Sequence, residues 1–111
     1  MIDLEFDRRW FNFLKERSEE FGDELDLQSI LFLIGIQELG FGFRKYSKDD
    51  KLNIVHIAVC TLLESYGYYA FKERDEKGWP VFEFLKELPA LNEKDQERLM
   101  KDAVMEYFIE E

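Results

Sequence analysis

Apolar residues enter this chain at helical spacing. Phe6, Trp10, Phe13, Leu14 and Phe21 fall on one side of a first segment, while Arg8, Arg9, Asn12, Lys15, Glu16 and Glu19 hold the other. Asp3 is placed to cap this amphipathic helix, and Phe21-Gly22-Asp23 ends it, because glycine reaches the positive φ of a helix terminus without steric penalty. A second helix is predicted from Asp26 to Leu39. Leu27, Ile30, Leu31, Phe32, Leu33, Ile34 and Ile36 leave it almost no polar face, so it belongs at the centre of the fold. A buried strand over Ile30 to Ile36 is the alternative, and Gly35 favours neither. The cap, the length and Gly40 just past the end favour the helix.

After the loop Gly40 to Tyr46, Ser47 and Asp50 form a capping-box-like start for a third helix running from Lys48 to Tyr66. Leu52, Val55, Val59, Leu62, Leu63 and Tyr66 line it, Ile54, Ile57 and Ala58 widen the stripe, and Gly67 stops it. The pattern then changes. Tyr68, Tyr69, Ala70 and Phe71, the charged run Lys72 to Lys77 with Gly78, and Trp79-Pro80-Val81-Phe82-Glu83-Phe84 read as a β-hairpin, with Pro80 at the start or edge of the second strand because it has no N–H to donate. The rival is a helix opened by Pro80 with Val81, Phe84, Leu85 and Leu88 on one face. Pro89 breaks the chain, Asn92 can cap, and Leu99, Met100, Ala103, Val104, Tyr107 and Phe108 mark a last amphipathic helix that should pack back on the central pair. The expected fold is therefore one mainly α domain, residues 1–111, orthogonal or bundle-like with four helices, with a possible hairpin between the third and fourth.

Composition narrows the partners. The 111 residues would hide roughly 65% of the surface of the unfolded chain, and 46% hydrophobic content is enough for one core. Twenty-five Asp and Glu against 15 Lys and Arg leave a net charge of -10, which repels phosphate backbones and anionic headgroups, so neither nucleic acid nor a membrane surface is an expected partner. The densest basic stretch, Arg44, Lys45, Lys48 and Lys51, is interrupted by Asp49 and Asp50. The longest apolar run, Ile30 to Ile36, is far short of the roughly 20 residues of a membrane span. The single cysteine, Cys60, forms no intrachain disulfide, and the start Met1-Ile2-Asp3-Leu4-Glu5 lacks a basic n-region and an apolar h-region, so a reducing cytoplasm is the expected compartment.

Candidate chemistry centres on the two middle helices. His56 and Cys60 lie four apart, on a face shared with Leu52, Val59 and Leu63, so both are expected to point into the core and to touch. A thiol in apolar mid-helix surroundings is a poor nucleophile. With one His and one Cys, a zinc site would have to draw on carboxylates such as Glu38 or Glu64, and no cofactor is expected. Glu38 faces the negative end of its helix dipole, which calls for compensation from Arg44, Lys45 or His56. Glu38, His56 and Gln37 are thus a candidate buried polar cluster, extended by Cys60 and Tyr66 into a candidate ligand pocket between the central helices. Phe41, Phe43, Arg44, Tyr46 and Trp79 carry aromatic area beside arginine, a composition favoured at contact surfaces, although the same rings could instead close the ends of the core.

Leu31-Phe32-Leu33-Ile34-Gly35-Ile36-Gln37-Glu38-Leu39-Gly40, His56-Ile57-Ala58-Val59-Cys60 and Gly78-Trp79-Pro80, about half of the chain, resemble a group of small uncharacterised bacterial proteins. The resemblance implies no assigned activity. The leading expectation is a non-enzymatic helical domain acting through a protein partner or as a homodimer, with the aromatic loop or hairpin as contact surface. The alternative is a small enzyme or ligand-binding protein using Glu38, His56, Cys60 and Tyr66.

Overall fold

The computed structural model describes residues 3–42 and 44–110. Among them are four helices, α1 (Leu4–Phe21), α2 (Leu27–Leu39), α3 (Lys48–Glu64) and α4 (Glu93–Glu110), with an antiparallel hairpin of β1 (Tyr69–Arg74) and β2 (Pro80–Phe84) between α3 and α4. The mainly α expectation holds. Each helix starts on a side chain that accepts an otherwise unpaired backbone N–H: Asp3 from Phe6 at 3.0 Å, Asp26 from Ser29 at 2.8 Å, Ser47 from Asp50 at 3.1 Å and Asn92 from Asp95 at 2.8 Å. Hydrogen bonding to these backbone groups is the first cause that lowers the pKa of Asp3 and Asp26 below the ordinary 3.8.

Gly35, neutral in the sequence, is where α2 and α3 meet. A Cβ there would collide with the Ile54 carbonyl group, its carbon 2.8 Å away, so only glycine permits this approach. The close crossing fully buries Ile30, Ile34 and Leu39 on α2 and Ile54, Cys60 and Leu63 on α3. One core cluster joins Ile30, Leu31 and Ile34 to Ala58 and Leu62, to Ala103, Val104 and Met105 of α4, and to Phe6 and Trp10 of α1. A second joins Ile36, Leu39, Ile54 and Ile57 to Tyr46. α4 does pack back on the central pair.

Residues 80–88 do not form the rival helix. Asp75 closes the hairpin turn, its carboxylate accepting from the N–H groups of Lys77 and Trp79, both at 2.9 Å, and Gly78 takes φ 87°. Pro80 opens β2, the position its missing N–H allows. Tyr69 pairs with Phe84 and Phe71 with Phe82, and the register then slips between Phe71 and Glu73. α3 stops at Glu64, two residues before the predicted end, where Tyr66 N–H turns to Leu63 and Gly67 N–H to Glu64. No helix of the described residues is long and apolar enough to cross a membrane.

Candidate functional site

The predicted polar cluster is dispersed. Cys60 is 1% exposed, and its Sγ lies 3.5 Å from Nε2 of His56, so the helical spacing did bring the pair together. His56 is not in the core, however. It is exposed, meeting Tyr69 of β1 edge to face with ring centroids 6.5 Å apart and bordering an open cavity of about 420 Å³ with Asp50, Asn53, Asp75 and Lys77. The hairpin's Trp79 and Phe82 cover Ile54 and Ile57 rather than the imidazole, which stays in water. Burial pushes the Cys60 thiol up to about 11, so it is neutral near pH 7.

Glu38 is half-buried and turns toward α4. Tyr107 Oη donates to its Oε1 over a long 3.5 Å and accepts from Nε2 of Gln37 at 2.9 Å. Glu38 borders a cavity of about 190 Å³ with Thr61, Glu64 and Arg74, different from the one that His56 borders. Tyr66 lies at the junction of α3 with α4, donating to Oε2 of Glu106 at 3.3 Å, and burial followed by the Glu106 charge pushes its phenol up to about 12. The structure therefore joins His56 to Cys60 and places Glu38 and Tyr66 elsewhere. Among the described residues, no group of three or more His, Cys, Asp and Glu side chains is arranged to hold a metal ion.

The compensation expected at the end of α2 comes from Arg74. Its guanidinium donates to the carbonyls of Glu38 and Leu39, each at 3.0 Å, and to Gly78 at 2.8 Å, tying the hairpin to the negative end of α2. In the sequence Arg74 is hidden within the charged turn run. Arg44, the earlier candidate, instead lies over Phe41 and Tyr46 at 4.7 and 5.5 Å from their ring centroids.

The aromatic loop closes an end of the core. Tyr46 is 9% exposed, its hydroxyl donating to the Gly42 carbonyl at 2.9 Å, and Phe41 meets Trp79 edge to face at 6.3 Å. Phe43 lies outside the described residues.

Large apolar side chains are open to solvent elsewhere. Phe11 is 65% exposed, Phe21 50% and Leu52 61%. Phe11, Leu14, Gly22 and Leu25 border a cavity of about 540 Å³ along α1, and Phe21, Leu25, Phe32, Leu33, Leu52 and Val55 border one of about 470 Å³ between α2 and α3. Asp23, Glu24 and Leu25, in the loop between α1 and α2, border both, so the two cavities adjoin there and together form a groove lined by three helices and this loop. Leu52 and Phe21, placed with the core residues in the sequence reading, are corrected to this surface: they border the open cavity and no element covers them. Phe11 falls off the main apolar face of α1, on a second apolar line traced by Leu4, Phe11, Leu14 and Phe21. Comparison of the chain with protein-family models, with curated proteins and with solved structures finds no match.

Proposed function

We propose that this chain is a non-enzymatic helical domain of the cytoplasm that acts by binding another protein, and that the groove between α1, α2 and α3 is its contact surface. The observation that carries this is the exposure of Phe11 and Phe21 on α1 and of Leu52 on α3 along two adjoining apolar cavities that share Asp23, Glu24 and Leu25. The surface area agrees: 7973 Å² for a 13.4 kDa chain, against roughly 6,500 Å² for a compact monomer of that mass, where a stable interface takes about 800 Å² from each partner. The radius of gyration, 14.6 Å, likewise exceeds the roughly 13 Å of a compact domain of this length.

The groove stands beside the aromatic loop or hairpin expected from the sequence: the loop's rings are engaged with one another, whereas Phe71 and Phe84 of the hairpin are 49% and 57% exposed and keep the hairpin as a second candidate surface. An enzyme or ligand-binding protein built on Glu38, His56, Cys60 and Tyr66 has less behind it, since only two of the four meet and the thiol of that pair is neutral and sealed. A photo-crosslinking residue placed at Phe11 or Leu52 should capture one and the same partner in the native cell, while placement at exposed Lys72 or Glu87 should not. Capture of equal strength from all four positions, or from none, would refute the groove as contact surface.

A further inference from the structure

We infer that the groove receives an amphipathic helix of a different protein, carrying Lys or Arg beside its apolar face; this rests on the groove being the contact surface. The form of the occupant follows from the walls. They are three helices and the α1–α2 loop, and no residue of β1 or β2 borders the groove, so it offers no strand edge to an extended peptide. A segment entering this apolar space must satisfy its own backbone, which a helix does, and it would turn an apolar face toward exposed Phe11, Phe21 and Leu52.

Charge selects the polar face of that helix. Asp23 and Glu24 stand where the two halves of the groove meet, and Glu19 borders the α1 half. None of the three makes an ion pair among the described residues, whereas Glu16 and Glu20 are both engaged by Arg17. The bordering cations, Lys15 and Lys51, each lie on one half only, and neither makes an ion pair with these three carboxylates among the described residues. A basic helix would answer these carboxylates, of which Asp23 accepts only a backbone hydrogen bond from Glu24, and be steered in by the net charge of -10, while a second copy of the chain would bring a further -10 against it.

The full chain can be offered a displayed library of amphipathic helices about 18 residues long, with Phe11→Ser/Leu52→Ser as a counter-bait of unchanged net charge. A second counter-bait, Glu19→Gln/Asp23→Asn/Glu24→Gln, keeps the apolar lining and removes the three carboxylates. All five positions are exposed, so both variants should retain the circular-dichroism spectrum of the parent, the serine variant its melting temperature as well, and the neutralised variant one equal to or above the parent's as three like charges are removed. Clones lost from the serine bait should be net basic, bind it at least about tenfold more weakly than the parent, and lose roughly three- to tenfold on the neutralised bait, less at high salt. Groove-dependent clones that prove neutral or acidic would overturn the charge inference while leaving the groove as contact surface. Clones that cannot tell the parent from the serine bait, or no clones at all, would overturn the groove reading as well. Sedimentation equilibrium showing a parent dimer that the serine variant loses would assign the groove to a second copy and overturn the inference of a foreign helix.

Discussion

Cys60 and His56 stand 3.5 Å apart, yet one is sealed from solvent and the other open to it. The four-residue spacing sufficed to foresee the contact, since side chains at i and i+4 share a helix face. It could not foresee the exposure, which depends on how far the hairpin reaches over α3. The thiol has a measurable signature. Its folded pKa of about 11 lies above the ordinary 9.0, so folding favours the neutral form: the stabilisation is complete below pH 9 and is lost as pH rises from 9 to 11. Urea unfolding of the parent and of Cys60→Ala should show the parent losing roughly 1–3 kcal/mol relative to the variant across that window; parallel pH profiles would show that the thiol is not held neutral by the fold.

Between elements, the most informative contact is Arg74 on the end of α2. A guanidinium forks to the Glu38 and Leu39 carbonyls from a strand that follows them by some 35 residues in sequence. Arg74→Ala should destabilise the protein by about 1–2 kcal/mol, because exposed carbonyls at a helix C-terminus fall back on water. Amide exchange should quicken in β1 and β2 before it does in α2. Arg74→Lys should recover only part of the loss, since an ammonium cannot bridge both carbonyls. Full recovery by lysine would reduce the contact to simple charge attraction. The helix caps, by contrast, were visible in the sequence at Asp3, Asp26, Ser47 and Asn92, as local hydrogen bonds spanning three residues.

For the molecule as a whole, charge is the unbalanced quantity. Twenty-five acidic residues against 15 basic ones make the folded chain repel itself, and the ion pairs among the described residues, such as Arg98 with Asp3 at 2.8 Å, are exposed and individually weak. Raising ionic strength from 0.01 to 0.15 M shortens the Debye length from about 30 to about 8 Å. The melting temperature should then rise by roughly 4–8 °C, the equivalent of about 1 kcal/mol in a domain of this size. A fall on adding salt would mean that specific ion pairs outweigh the general repulsion.

The repeat of apolar positions, the caps and the glycine stops were enough to settle the four helices, because each is decided by residues a few positions apart, whereas the hairpin was set against a rival helix from Pro80 that only the strand pairing of Tyr69 with Phe84 and Phe71 with Phe82 removes. Which apolar residues are covered was settled only by packing: Tyr46 and Ile54 went inside, Phe11 and Leu52 stayed out, and His56 turned to water. Periodicity assigns a side chain to a face, but covering that face takes atoms from distant parts of the chain, and Gly35 fixes where those parts can approach. The groove exists for that reason, in the space α1, α2 and α3 leave unfilled.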